Sequence, residues 1–258
     1  LALNEQAPTV LRANTLKTTP RELIADLNDE NVEAFTIKNY PDAIQLAEKK
    51  NVFLTSAFKD GFFEVQDASS QKIGELLDVQ EGMRVVDACA GAGGKTLHLA
   101  ALMKNKGQII ALDIYEWKLT ELKRRAKRAG AHNIETRLIS DNKVIKRLHE
   151  KADRLLIDAP CSGLGVLKRN PDSKWKIDQA FIDRIKGEQQ QILQDYSKIL
   201  KKGGQMIYAT CSILPSENNE QVKLFLSNNP DFTLVKDQKI MPSEGYDGFY
   251  MALIKRNA

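Results

Sequence analysis

The sequence predicts an α/β protein: a doubly wound, mostly parallel sheet of seven strands, preceded by a small α+β unit. Three observations carry this. From about residue 83 onward, short apolar runs alternate with amphipathic helical patterns, and the connections between them are short. Such alternation implies a parallel sheet covered by helices on both faces. Residues 1–66 break that rhythm and carry 7 basic and 10 acidic side chains, net −3, against 31 and 24, net +7, in the rest. The chain has 258 residues, 42% hydrophobic and 28% charged, enough for one large domain and an annex.

The small unit is placed at 1–66, as an α+β domain and a candidate RNA contact, and the main domain at 67–258. In the first, PTVLRANTL (8–16), EAFTI (33–37) and NVFLTSAFKDGFFEVQD (51–67) surround TPRELIADLND (19–29), a helix with a Thr or Pro start. DASSQKIGELLD (67–78) predicts a helix leading into the main sheet. MRVVDA (83–88), QIIALD (108–113), IETRLI (134–139), RLLIDA (154–159) and QMIYAT (205–210) each predict a buried strand. Between them lie helical patterns at 97–104, 115–130 (ending in a glycine cap) and 141–150, then a long helix over about 178–200 closed by KKGG. A helix over 215–228 and a strand pair, FTLV (232–235) and FYMALI (249–254), end the chain. Five parallel strands, a helix and a closing hairpin-like pair is the order of a class I methyltransferase (Rossmann-like) sheet. A dinucleotide-binding half would continue with parallel crossovers.

No apolar run approaches the ~18–20 residues of a membrane span, and no signal peptide opens the chain. The first residue is leucine, which predicts a native start further upstream. Three cysteines, Cys89, Cys161 and Cys211, are an odd number in a large chain, so a reducing compartment, the cytoplasm, is expected. His98, His132 and His149 lack metal-ligand spacing and are expected at the surface or at helix ends, so no metal is expected. Residues 104–176 hold 18 basic and 9 acidic side chains. That excess fits a polyanion such as RNA, and equally the solvated face of a helix at KLTELKRRAKR (118–128).

DACAGAGGKT (87–96) resembles several nucleotide-binding loops. A P-loop needs glycine at 89, where cysteine stands, and a dinucleotide fingerprint needs a third glycine where Thr96 stands. Asp113 ends the second strand, where a carboxylate can accept from both ribose hydroxyls of an adenosine. Asp87 sits beside the turn and suits an ammonium rather than a pyrophosphate, or else caps the turn. S-adenosylmethionine fits this set best.

DAPCSG (158–163) follows the fourth strand and TCS (210–212) the fifth. Strands one and four flank the switch point of a doubly wound sheet, and five lies beside four. Cys161 and Cys211 therefore converge on the cofactor turn, whereas Cys89 lies inside that turn and is expected to pack. A free thiol of pKa ~8.5 is only roughly 3% thiolate at neutral pH, so a nucleophile needs positive charge nearby, which Lys95 can supply. Two thiols, a carboxylate and a methyl donor suit methylation at carbon 5 of a pyrimidine. A thiolate added at carbon 6 makes carbon 5 nucleophilic, and Asp158 can hydrogen-bond the ring nitrogen of cytosine. The chemistry alone allows either thiol as nucleophile.

DACAGAGGKT, ALDIYEWKL, the Ser140-Asp141 pair, DAPCSG and TCS resemble, in order and spacing, the RNA cytosine-5 methyltransferases of the Sun/Fmu/RsmB type. RANTLK (12–17) and QDASSQ (66–71) are similar to that family's segment ahead of the core. The resemblance implies Cys211 as nucleophile and Cys161 as the promoter of product release. It implies S-adenosylmethionine bound by the turn Cys89, Ala90, Gly91, Ala92, Gly93, Gly94 and Lys95, and by Asp113, Asp141 and Asp158, with Lys95 and Asp158 also near the target base. Ala92 departs from the family's pattern, which has proline there, and a looser cofactor turn is expected. Family members often carry a further RNA-binding domain that is not read in this sequence, which leaves ribosomal RNA, favoured, and tRNA both open. No oligomer is required.

Two rivals are weaker. A non-catalytic RNA-binding or ribosome-assembly protein has no need of two thiols. A DNA cytosine methyltransferase wants a large insertion after its catalytic turn, and 164–204 leaves room for a loop and one helix. The tryptophan of NPDSKW (170–175) is expected to pack rather than to stack on RNA.

Overall fold

In the computed structural model, which describes residues 2–258, two sheets organise the chain. The smaller contains β1 (Val10–Ala13), β2 (Ala34–Ile37), β3 (Tyr40–Leu46) and β4 (Phe63–Val65), antiparallel in the order β2-β3-β1-β4. Against it lies α1 (Pro20–Asp29), whose Leu23 and Leu27 pack among Leu11, Ile44 and Phe63. Thr19 and Glu22 cap this helix reciprocally and Pro20 opens it, an arrangement worth about 1 kcal/mol. A one-turn α2 (Ser56–Lys59) leads into β4. β3 is the strand the hydrophobic pattern misses. Pro41 and Asp42 disguise it, yet it forms because the Lys38–Asn39 turn, with Asn39 at φ +66°, folds it back on β2.

The larger sheet holds β5 (Arg84–Asp87), β6 (Gln108–Asp113), β7 (Ile134–Leu138), β8 (Ala152–Asp158) and β9 (Leu200–Thr210), all parallel. β10 (Phe232–Ile240) and β11 (Phe249–Arg256) close it antiparallel, giving β10-β11-β9-β8-β5-β6-β7. This is the seven-stranded doubly wound order that the sequence predicts. Consecutive strand residues point to opposite faces, and both faces are buried. Val85 and Ile109 join one apolar cluster, while Val86 and Ile110 join the other.

The remaining helices are α3 (Ala68–Leu77), α4 (Gly94–Leu102), α5 (Glu116–Ala129, capped at Gly130), α6 (Asn142–Lys146), α7 (Gln179–Tyr196) and α8 (Asn219–Asn228). α3 is capped by Asp67 and packs on both sheets, touching β1 and β3 on one side and β9 and β11 on the other. No helix among the described residues is long and apolar enough to cross a membrane.

Three local readings need correction. KKGG (201–204) does not close the long helix, because pairing of Leu200 with Ala152 already draws it into β9. α6 is five residues long, ended by tight turns through Glu150 at φ +55°. His98 is neither at the surface nor at a helix end. It is buried in α4 against Gly74, where an added Cβ would lie 2.7 Å from its Nδ1, and its Nε2 is 3.4 Å from Asp42. Burial lowers this imidazole to about 4, so it is neutral at pH 7.

Candidate active site

The carboxyl ends of β5, β6, β8 and β9 meet at the switch point, where the order of strands reverses. The turn from Cys89 to Gly93 leaves β5 there. Ala90 N–H donates to Leu112 O on β6, and Gly93 at φ +89° turns the chain into α4. An added Cβ at Gly93 would meet Leu122 Cγ at 2.5 Å, so glycine is required both by conformation and by the closeness of α5.

Two adjoining cavities open at this edge. The larger, about 630 Å³, is walled by Cys89 and Gly91 of the turn, Asp113, Tyr115, Asp158 and one side of α7. The smaller, about 230 Å³, is lined by Asp87, residues 89–92, Gly94 and Lys95 of the turn, Asp158, Gln66 ahead of α3 and Ser70 within it. In the larger, Asp113 is nearly buried and accepts from Gly91 N–H at 2.9 Å and Tyr115 N–H at 2.8 Å. Each oxygen keeps a lone pair for a further donor, which fits ribose hydroxyls. In the smaller, buried Asp87 accepts from the Thr96 hydroxyl at 2.7 Å, while its Oδ1 has no partner. An orphaned carboxylate oxygen on a cavity wall fits an ammonium. Together the cavities suit an aminoacyl-nucleoside, adenosine on one side and amino acid on the other.

The thiols stand beside this cleft. Cys161 follows β8 and Cys211 follows β9, and their Sγ atoms are 3.3 Å apart, both half-buried. Lys95 at the start of α4 reaches Asp158 with Nζ 2.6 Å from Oδ2 and lies over the Phe249 ring. Burial opposes the charge on Lys95, but Asp158 outweighs it and the ammonium is held above its usual value. The sulfur contact separates the two thiols electrostatically. Either sulfur can donate across this contact; with Cys161 as the donor, the contact together with nearby Lys95 shifts Cys211 down. The same contact and burial push Cys161 well up. Burial also raises the Cys89 thiol, and the residue lines both cavities.

The structure thus brings Cys89, Ala90, Gly91, Ala92, Gly94, Lys95, Asp113 and Asp158 to the cavity walls, with Gly93 shaping the turn beneath. Asp141 lines neither cavity. It is exposed and caps α6 by accepting from Lys143 N–H at 2.7 Å, while Ile139 of the same stretch reaches the larger cavity. Trp175, expected to pack, is 81% exposed. Sequence reasoning also missed Arg184, Glu188 and Tyr196, which wall the larger cavity from α7. Their spacing along one helical stripe is the only signal, and it reads equally as a solvated face.

Residues 74–255 match the family model described as 16S rRNA methyltransferase RsmB/F, and residues 1–53 match the ferredoxin-like domain described for that family. The chain belongs to the RsmB/F methyltransferase family. Its relatives include the ribosomal RNA small subunit methyltransferase B of Proteus mirabilis, 36% identical over 98% of this chain and 60% of the relative. That of Klebsiella pneumoniae is 38% identical over 99% of this chain and 61% of the relative. The chain therefore spans about three fifths of these relatives' length. Among solved structures, PH0851 superposes at TM-score 0.94 and 32% identity, over 99% of this chain and 61% of that one. A methyltransferase homologue from Pyrococcus horikoshii superposes at TM-score 0.87 and 28% identity, over 100% and 88%. The O-methyltransferase of Bacillus cereus, which shares the fold at TM-score 0.51 and 17% identity over 74% of this chain and 83% of that one, was solved in complex with SAH.

Proposed function

We propose that this chain methylates carbon 5 of cytosine in RNA, using S-adenosylmethionine and a covalent link between Cys211 and carbon 6 of the base. The observation that carries the reading is the Cys161–Cys211 pair, 3.3 Å apart, next to the Lys95–Asp158 ion pair at the cofactor cleft. Membership of a 16S rRNA methyltransferase family supports ribosomal RNA as the substrate, with tRNA as the alternative.

Asp87 and Asp113 would hold the cofactor's amino and ribose ends. When bound, the cofactor supplies an electrophilic methyl group carried on a sulfonium. The Cys211 thiolate adds to carbon 6, forming an S–C bond while the ring's electron pair moves toward carbon 5 and the ring nitrogen. Asp158, steered by Lys95, hydrogen-bonds that edge of the base and bears on its proton. Carbon 5 then takes the methyl group. A base removes the carbon 5 proton, the electron pair returns to the 5,6 bond, and the S–C bond breaks to regenerate the Cys211 thiolate. Cys161 keeps its proton beside the departing sulfur, which supports a role in release.

RNA carrying 5-azacytosine tests this, since nitrogen at position 5 leaves no proton to remove and traps the adduct. The wild-type chain is expected to form a denaturant-stable protein–RNA complex and Cys211→Ala none. Cys161→Ala should accumulate a complex on ordinary cytosine. An adduct that survives Cys211→Ala and disappears with Cys161→Ala would exchange the two roles. Calorimetry showing no S-adenosylmethionine binding at millimolar cofactor would sink the reading of the cleft.

A further inference from the structure

Cys161 and Cys211 are each followed by a serine, and beneath the two sulfurs both serines converge on one carboxylate. Glu217 lies in the 3-10 turn Pro215–Glu217 ahead of α8 and is completely buried. Its Oε1 accepts from Ser162 N–H at 2.7 Å and faces Gln189 Nε2 at 3.4 Å. Its Oε2 accepts from the Ser162 hydroxyl at 2.5 Å and from the Ser212 hydroxyl. The two hydroxyl oxygens are 3.3 Å apart, the same spacing as the two sulfurs one residue earlier.

Nothing in the methyl-transfer steps uses Glu217, and its side chain touches neither cavity. Yet it accepts the Ser162 N–H and the hydroxyls of both serines, so it takes donors from each of the two cysteine-bearing turns. Gln189 on α7 also donates to Pro160 O at 2.9 Å, so the Pro160–Ser162 turn is gripped from two sides. The other turn is gripped as well: Asn218 Nδ2 donates to Ser212 O at 2.9 Å, and Tyr208 hydroxyl donates to Glu217 O at 2.7 Å. Two turns separated by 50 residues in sequence have no covalent reason to keep a fixed spacing. A carboxylate that accepts from both supplies one, and in a dry site such bonds are stiff because the donors have no water to turn to.

We infer that Glu217 is a positioning residue for the thiol pair: it holds Cys161 and Cys211 within contact by tying Ser162 and Ser212 to one anchor. The inference rests on the reading of those thiols as the working groups, but its central test needs no RNA and no methyl transfer. A trivalent phenylarsenical condenses with two neighbouring thiols, forming two As–S bonds and releasing water, and so reports their spacing directly.

Wild type is expected to take up one equivalent of phenylarsine oxide, and Cys211→Ser to lose that chelate. Glu217→Ala should weaken capture at least tenfold while S-adenosylmethionine affinity stays within about twofold. Glu217→Gln keeps an acceptor for Ser162 N–H and lets the hydroxyls turn toward its NH2, so capture within about threefold of wild type is expected. In methylation assays the alanine variant should lose kcat with little change in KM for RNA. Wild-type capture by folded Glu217→Ala would overturn the inference, whatever the chain's activity proves to be. Should Glu217→Ala not fold, Ser212→Ala, which frees the Cys211 turn alone, carries the same test: at least threefold weaker capture supports it and unchanged capture overturns it. Absence of methylation in a wild type that captures the arsenical normally would count against the proposed reaction and leave the role of Glu217 standing.

Discussion

At the scale of single residues, the most consequential group is Asp87. Its burial at the end of β5 raises the carboxyl from its ordinary 3.8 to about 7, and the hydroxyl of Thr96 only partly offsets this. The native state favours the proton more than the unfolded chain does, so the stability this group contributes is fully present below about pH 4. It is lost as pH rises through about 7. Each tenfold difference in proton affinity between the folded and unfolded chain is worth about 1.4 kcal/mol. An ammonium placed against the orphaned Oδ1 reverses the preference and expels the proton. S-adenosylmethionine binding at pH 6 is therefore expected to release close to one proton, read by calorimetry in buffers of differing ionisation enthalpy. Asp87→Asn should bind at least tenfold more weakly and release none. Identical heats in all buffers with the native chain would rule out this pairing.

Among elements, the strands of the larger sheet and the helices between them are legible in the sequence because each buries a face with its own period. Val85/Val86 and Ile109/Ile110 feed two clusters, and that doubling appears in sequence as an unbroken apolar run. The convergence of Cys161 and Cys211 is legible too, since adjacent strand ends follow from strand order. What stays hidden depends on contacts remote in sequence. β3 owes its pairing to neighbours rather than to its own residues, and the wall formed by α7 is set by how that helix lies over the cleft. The packing of the 3-10 turn Leu164–Val166 is of the same kind. Gly165 N–H donates to Cys211 O at 2.9 Å, and Gly248 N–H donates to Gly165 O at 2.8 Å. A Cβ on Gly165 would come within 2.1 Å of Gly248 O and 2.7 Å of Cys211 O, both rigid backbone atoms. Gly165→Ala must therefore push the turn after Cys161 away from the exit of β9. Azacytosine trapping is expected to slow at least a hundredfold, with cofactor binding within about threefold of native. Trapping at the native rate would mean that the turns can part without consequence.

In the molecule as a whole, the small sheet does more than flank the large one. Arg12 of β1 is buried, bonded to Gln66, and donates to Gly94 O at 2.6 Å, while Asn14 donates to Ala129 O at 2.8 Å at the end of α5. Glu64 of β4, 3% exposed, accepts from Arg125 at 2.8 Å and from Arg128, and Arg125 in turn donates to Ala92 O at 2.8 Å. The two carbonyls on either side of Gly93 are thus fixed by arginines that the small sheet either supplies or holds. This supplies the rigidity that alanine at 92, in place of proline, is expected to forfeit. Removing Glu64 would leave two guanidiniums largely buried with their charge uncompensated, a defect that costs about 3–5 kcal/mol. At roughly 2–4 °C per kcal/mol for a chain of this size, Glu64→Ala is expected to melt about 10 °C lower. Freed from its partner, Arg125 should also let the cofactor turn move, so S-adenosylmethionine affinity should fall with the melting point. Glu64→Gln, which retains hydrogen bonds but not charge, should lie between. A Glu64→Ala chain that melts within about 2 °C of native and binds cofactor normally would show that the large sheet shapes its turn unaided.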